Sequence, residues 1–134
     1  MPMPRPAALP CPCQSDHPYS ACCQPAHTGE RPPASAEALM RSRYSAFALG
    51  LGDWLLASWH PSTRPATLEA DEGAAPKWIG LQVVDHRQID ADHAIVEFVA
   101  RCRIGGRASR LHETSRFVRE DGQWLYVDGE LHER

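Results

Sequence analysis

The N-terminal cysteines constrain this chain more than any other feature. Four of its five cysteines lie within thirteen residues, as Cys11, Cys13, Cys22 and Cys23, in the pattern C-x-C-x8-C-C. Thiolates at this spacing can surround one metal ion, because the loop between the two pairs folds the second pair back over the first. Four sulfurs fill a tetrahedral shell and leave no open position. We therefore predict one structural Zn(II) per chain, although tetrahedral sulfur also accepts iron.

Disulfides and free thiols are the alternatives to a metal site. Adjacent cysteines such as Cys22 and Cys23 rarely bond to each other because the ring is strained, and a disulfide framework needs an oxidising compartment. The first ten residues, MPMPRPAALP, lack the apolar run of a signal peptide. No stretch approaches the about 18–20 apolar residues of a membrane span. We therefore expect a cytoplasmic protein that binds metal and does not enter a membrane.

Length and charge limit the remaining possibilities. A chain of 134 residues suits one ordinary domain with a small appendage. Its net charge is −3 and its acidic and basic residues are interspersed, so we do not expect a nucleic acid partner. Residues 1–10 form a proline-rich tail that we predict to be disordered. Residues 11–32 form the cysteine knuckle, and residues 33–134 form the globular domain.

The globular domain begins with a helical pattern. Ser35 is a suitable N-cap, and Glu37 lies in the first turn, where the helix dipole favours an acid. One face of this helix carries apolar residues at helical spacing, namely Met40, Tyr44, Phe47 and Leu51. Gly50 and Gly52 end the helix, and Asp53 is predicted to cap a second, shorter one that ends before His60-Pro61. Residues 61–76 are predicted to be a loop.

The C-terminal half follows the period of a β-sheet. Residues 78–86 are rich in β-forming side chains, and the even positions from Ala94 to Ile104 are apolar, as in a half-buried strand. Gly105-Gly106 and Asp121-Gly122 are hairpin turns that precede strands over 108–119 and 124–128. Helices followed by an antiparallel meander predict an α+β fold, with a curved sheet packed on its own helices.

The cysteine segment and the domain after it resemble a known family. CPCQSDHPYSACC resembles the SEC-C zinc motif, and the whole chain is similar to the YchJ-like family, in which that motif precedes a nuclear-transport-factor-two-like (NTF2-like), cystatin-related cone domain. The most specific strings are AEALMRSRYSAF (36–47), WHPSTRP (59–65) and LHETSRFVREDGQWLYVDG (111–129). The resemblance implies the cone fold and the metal. It assigns no biochemical role.

The knuckle differs from the usual SEC-C motif at several positions. Glycines usually stand where Gln14 and Asp16 stand here, and lysines are usual around His17. Asp16 can adopt a left-handed turn at modest cost. The missing lysines matter more, because in the bacterial preprotein translocase the basic motif docks on an acidic export chaperone. That partner is therefore not expected for this chain.

An interior carboxylate is the main candidate for chemistry beyond the metal. Leu111, Glu113, Ser115 and Phe117 share one face of a strand, and the apolar members direct that face towards the core. Glu113 would be a general base in the cone cavity, with His60 or Tyr44 as the acid. Arg43, Trp59 and Ser115 would line the same pocket. The structural alternative is that Glu113 pairs with Arg41, Arg43 or His60 and locks helix against sheet.

Three functions follow from these residues. We favour a zinc-binding protein-interaction module, in which the knuckle binds an unidentified protein partner and the cone carries a ligand pocket. The second is a small enzyme that uses Glu113. The third is a scaffold that forms a homodimer through its sheet. The remaining histidines that we considered, His86, His93 and His112, are predicted to be solvated, because no second metal donor is evident beside them.

Overall fold

The computed structural model describes residues 10–66 and 77–132. The predicted disordered tail therefore lies outside the described residues, apart from Pro10, and so do residues 67–76 of the predicted loop. Within the two described ranges, no helix combines the length and the apolar character that crossing a membrane requires.

Helices and strands occupy separate halves of the chain. The described helices are α1 (Gln24–His27), α2 (Ala36–Leu49) and α3 (Gly52–Ala57), and a single 3-10 turn covers Tyr19–Ala21. The strands are β1 (Lys77–Asp90), β2 (His93–Ile104), β3 (Arg107–Glu120) and β4 (Gln123–Leu131). Each strand pairs antiparallel with the next, in the order β1-β2-β3-β4. The predicted α+β class is confirmed.

Helix α2 begins and ends as the sequence predicts. The Ser35 hydroxyl accepts a hydrogen bond of 3.0 Å from the N–H of Ala38, and Gly50 ends the helix in the left-handed conformation with φ 74°. The predicted cap of α3 is wrong. Leu51 occupies the N-cap position, and Asp53 lies inside the first turn, where its charge still suits the helix dipole.

Two tight turns set the register of the meander. Gly105 and Gly106 have φ values of 57° and 82°, and Asp121 and Gly122 have 53° and 78°. Two successive residues with positive φ are typical of the type I′ turn, whose twist matches that of the flanking strands. The pairs Ile104–Arg107 and Glu120–Gln123 close these hairpins. Both turns were predicted from the residue types alone.

The main core lies between α2 and one face of the sheet. Its buried members are Ala36, Leu39, Met40, Ala94, Val96, Phe117 and Trp124. The even positions of β2 are buried or half-buried as far as Cys102, but Val99 on the other face is also buried, and Ile104 is 45% exposed. A strand of 14 residues extends about 47 Å, whereas α2 extends about 21 Å, so the helix cannot cover the distal end of the sheet. On α2, Leu39 is fully buried, whereas Phe47 of the predicted apolar face is 48% exposed.

Candidate metal centre and adjoining cavity

The four N-terminal cysteines converge on one point. Their sulfur atoms all lie within 4.8 Å of one another. The Sγ atoms of Cys13 and Cys22 are 3.5 Å apart, and those of Cys22 and Cys23 are 3.9 Å apart. Thiolates at about 2.3 Å from a tetrahedral ion are separated by about 3.8 Å. The donor set therefore fits one metal ion, and all five cysteines of the chain are free of disulfide bonds.

The loop between the cysteine pairs is bent by two residues with left-handed backbones. Gln14 and Asp16 both have φ 68°. The turn closes through the backbone N–H of Cys11, which donates to the carbonyl of His17 at 2.9 Å. An L-residue pays about 1–2 kcal/mol for this conformation, less for Asp. The chain therefore adopts at Gln14 and Asp16 a backbone conformation that glycine would adopt at lower cost.

Burial and mutual hydrogen bonding make the thiols strongly unequal. The hydrogen bond with Cys23 is the main cause that lowers the pKa of Cys13 to about 4. That same bond raises the pKa of Cys23, and burial raises the pKa of Cys22 to about 11. The cluster therefore accommodates one thiolate readily and resists further negative charge. A bound dication would remove this resistance, since it stabilises all the thiolates together.

His27 connects the knuckle, residues 11–32, to helix α2. Its Nε2 lies 2.8 Å from the carbonyl of Ser42, and its Nδ1 lies 2.7 Å from the hydroxyl of Tyr19. Because a carbonyl only accepts, Nε2 carries the hydrogen and Tyr19 donates to Nδ1. Burial lowers the pKa of His27, which favours this neutral form. The ring also meets the edge of Trp54, with centroids 6.0 Å apart.

Polar side chains of α2 reach the metal-binding loop directly. The Ser45 hydroxyl donates to the Cys23 sulfur at 3.3 Å, and Arg41 donates to the carbonyl of Cys13 at 2.8 Å. Cys11, Cys13 and Cys23 are buried, and they form one apolar cluster with Tyr44 and Ala100. The knuckle therefore packs on the cone domain. His17 is exposed, outside the sulfur cluster.

A cavity of about 240 Å³ lies between α2 and the sheet, beside the knuckle. Tyr44 and Ala100 belong both to its wall and to the knuckle cluster. The wall is mainly aromatic, with Phe47, Trp59, Trp78, Phe98, Phe117 and Tyr126. The polar lining consists of Arg43, Glu113 and Ser115. A largely apolar cavity with a few polar groups is the usual form of a small-molecule site.

Glu113 lies in this cavity without an ion pair among the described residues. Its carboxylate accepts a hydrogen bond from the Ser115 hydroxyl. It also lies directly over Gly129 on β4, where a Cβ atom would stand 2.7 Å from the Glu113 Cδ and 3.1 Å from its Cγ. The missing side chain at Gly129 therefore makes room for the carboxylate. Neither Arg41 nor Arg43 forms the ion pair with Glu113 that the sequence left open.

Arg43 takes a different set of partners. It is 6% exposed, and it donates to the carbonyl of Leu55 at 2.8 Å and to the Ser58 hydroxyl at 2.7 Å. Its Cζ lies 4.4 Å from the ring centroid of Tyr126 and 5.1 Å from that of Trp59. Burial lowers the pKa of Arg43 to about 10, so the side chain stays charged at neutral pH. The aromatic faces stabilise this charge.

The two candidate acids differ in position. Tyr44 lines the cavity. Burial raises the pKa of its phenol, and a weaker interaction with the backbone of Gly80 opposes that rise. Its hydroxyl has no hydrogen-bond partner of normal geometry among the described residues. His60 does not line the cavity. Its Nε2 lies 2.8 Å from the carboxylate of Glu120, and its Nδ1 lies 2.7 Å from the Ser62 hydroxyl. The structure therefore brings Glu113 together with Tyr44, Arg43, Trp59 and Ser115.

Sequence reasoning missed three residues of these sites. Tyr126 follows Trp124 by two positions on β4, so strand alternation would have placed it on the cavity face. Neither Gly129 nor His27 has a comparable signal, since their roles depend on contacts with Glu113 and Ser42 that are distant in sequence.

Comparison with known proteins identifies the family of this chain. The family described as "YchJ, middle NTF2-like domain" matches residues 35–129. A UPF0225 protein of Polaromonas naphthalenivorans is 62% identical over 113 residues, which cover 84% of this chain and 82% of that protein. A UPF0225 protein of Ralstonia nicotianae is 54% identical and covers 98% of this chain and 96% of its own length.

Two solved structures share the fold. The solution structure of a SEC-C motif containing protein from Rhodopseudomonas palustris has a TM-score of 0.81 and 33% identity, and covers 93% of this chain and 100% of that chain. The crystal structure of a sec-c motif containing protein from Psychrobacter arcticus has a TM-score of 0.75 and 29% identity, and covers 94% of this chain and 84% of that chain. With its cysteine cluster and α+β domain, the chain belongs to the YchJ (UPF0225) family, whose middle domain is NTF2-like.

Proposed function

We propose that this protein binds a small organic ligand in the cone cavity, beside a structural Zn(II) held by Cys11, Cys13, Cys22 and Cys23. Zinc suits the four converging sulfurs, which leave no position open for hydrolytic chemistry. Thiolate ligands also need a reducing compartment, so the proposal includes a cytoplasmic location. The ion would stabilise the knuckle, and the knuckle would stabilise the cavity wall at Tyr44 and Ala100.

The main support for ligand binding is the position of the Glu113 carboxylate in an aromatic cavity. Glu113 is half-buried and forms no ion pair among the described residues, so its carboxylate keeps hydrogen-bonding capacity for water or a ligand in the cavity. Ser115 supplies one hydrogen bond, and Gly129 leaves space for the carboxylate. The matching ligand is a flat, mostly apolar molecule that carries an amine, amidine or other N–H group towards Glu113. Such a molecule would combine aromatic contact with a charge-assisted hydrogen bond.

A screen of small aromatic compounds by ligand-observed NMR tests this function. We expect bound compounds to be enriched in N–H donors, and we expect Glu113→Gln to weaken them by at least tenfold. Glu120→Gln is the matched control, because Glu120 is exposed and pairs with His60 outside the cavity. Equal binding to wild type and Glu113→Gln would refute the role of the carboxylate. A screen without any bound compound would refute the cavity as a ligand site.

Protein docking through the knuckle is a second candidate. Gln14, Asp16 and His17 are exposed, and the left-handed turns at Gln14 and Asp16 hold this edge in one shape. A photo-crosslinker at His17 should capture the same partner repeatedly, whereas one at the exposed Ser62 should not. Equal labelling from both positions would argue against a docking role.

The enzyme and scaffold alternatives have less support. Among the described residues, the cavity places Tyr44 near Glu113 as a candidate acid, but His60 lies elsewhere. The homodimer through the sheet is retained as a prediction, and the mass in solution from light scattering tests it.

A further inference from the structure

A second group of metal-ligating side chains lies on the sheet face opposite the helices. Glu97 on β2, His112 on β3 and His132 after β4 each offer one donor atom, and these atoms lie within 4.8 Å of one another. His112 stands opposite Val99 on β2, and His132 continues the β3–β4 ladder by donating its backbone N–H to the carbonyl of His112 at 2.8 Å. Three neighbouring strands therefore hold the group.

The orientation and burial of the His112 ring suit a metal ligand. Its Nε2 lies 2.7 Å from the carboxylate of Glu97, and its side chain is 19% exposed. Its Nδ1 is buried and has no hydrogen-bond partner among the described residues. Nε2 is therefore the nitrogen directed towards the other donors. The prediction that no second donor lies beside His112 was wrong, because the carboxylate arrives from a different strand.

His132 is the adjustable member. Its ring stacks on His112, with centroids 4.3 Å apart and an angle of 26° between planes. A ligated metal lies near the plane of an imidazole, so the His132 ring would turn out of this stack to share an ion with His112. The ring is exposed just after β4, and its only side-chain hydrogen bond among the described residues is a 2.7 Å bond to Thr114. Turning the exposed ring therefore breaks only this hydrogen bond and the stacking contact with His112 among the described contacts.

We propose that Glu97, His112 and His132 form a second site, which binds a divalent transition metal. Two imidazoles and one carboxylate suit ions of borderline softness such as Zn(II), Co(II) and Ni(II). Three protein ligands leave at least one coordination position for water or an exogenous ligand. The site therefore differs in kind from the closed sulfur site of the knuckle.

Cobalt added to the freshly purified protein, with its knuckle ion in place, distinguishes the two sites. We expect one equivalent of Co(II) per chain at micromolar concentration, with visible d–d absorption and no thiolate-to-cobalt charge-transfer band. His132→Ala should abolish this equivalent, and His112→Gln should do the same. His93→Ala is the matched control, because His93 pairs with Asp90 on the surface away from this group.

Three results would overturn the site. The first is a wild-type protein that takes up no additional cobalt at 100 µM Co(II), which is about tenfold above the dissociation constant that we expect. The second is uptake that survives His132→Ala. The third is a thiolate charge-transfer band, which would show that cobalt entered the knuckle. His132 lies at an exposed strand end, so its substitution should leave the fold intact, and the unfolding curve of the variant checks this point.

Discussion

His27→Ala should detach the knuckle from the cone domain. In the folded chain, the His27 ring joins Tyr19 of the knuckle to the Ser42 carbonyl of α2, and it packs against Trp54. Alanine removes all three contacts at once. The sulfur ligands themselves are unchanged, so the variant tests how far the metal loop depends on its support.

The magnitude follows from these contacts. Each lost hydrogen bond contributes about 1 kcal/mol, and the aromatic edge contact contributes a further 1 kcal/mol or so. We therefore expect the free energy of unfolding to fall by about 3 kcal/mol. With a slope of about 1.5–2 kcal/mol per molar urea, the midpoint would fall by roughly 1.5–2 M. If the loss is confined to local opening of the knuckle, metal release would accelerate on the order of 100-fold.

Two assays and one control measure this effect. Urea unfolding by tryptophan fluorescence gives the change in free energy, and transfer of the metal to a chromophoric chelator gives the release rate. His17→Ala is the matched control, since His17 is an exposed histidine of the same knuckle. We expect that control to change stability by less than about 0.5 kcal/mol. If His27→Ala is as stable as His17→Ala and releases metal no faster, the connection through His27 does not support the knuckle.

The remaining predictions concern the metal ligands, pH, the cavity and the loop turns. Cys22→Ser should lose the stoichiometric metal while the cone domain stays folded, and elemental analysis with circular dichroism measures both; a full equivalent of metal in the variant would contradict the ligand assignment. Burial lowers the pKa of His27 below that of the unfolded chain, so the unfolded state binds more protons near pH 6 and stability falls as the pH drops from 7 to 5. His27→Gln should reduce this slope in urea titrations, and an unchanged slope would remove His27 as its source. Gly129→Ala should displace the Glu113 carboxylate and weaken cavity ligands in the same NMR screen, whereas equal affinity would show that the carboxylate position is not required. Gln14→Gly should raise the unfolding midpoint by an amount equivalent to up to about 1 kcal/mol, because glycine relieves the left-handed strain and loses part of that gain to backbone entropy. Gln14→Val should lower the midpoint, because a β-branched residue fits φ 68° poorly; equal midpoints in the two variants would contradict the strain.

Local patterns predicted the two longer helices and the four strands, although not the short helix α1, and they identified the candidate metal ligands. Ser35 and Gly50 mark the ends of α2 because capping and left-handed termination depend on neighbouring residues. The Gly105-Gly106 turn follows from two adjacent residues that accept positive φ. Local rules failed at Asp53, because the geometry after Gly50 moved the start of α3 back to Gly52.

The cavity was only partly predictable. Strand alternation correctly placed Glu113 and Ser115 on the inward face, since that property has a period of two residues. The partner of Glu113 was a different matter. The sequence does not show whether Arg43 binds the Glu113 carboxylate or the carbonyl of Leu55. In the structure α3 packs against α2, and Arg43 donates to the carbonyl of Leu55.

The sequence by itself determined the cysteine cluster, the α+β class and the two hairpin turns, because each depends on residues close together in the chain. The tertiary structure alone decided the support of the knuckle by His27, the space that Gly129 leaves for Glu113, and the meeting of Glu97, His112 and His132. These contacts join residues 15 to 35 positions apart. The hairpin turns fix the register of β2, β3 and β4, but the docking of α2 and the side-chain conformations that bring these groups into contact are not encoded in any short pattern of residues.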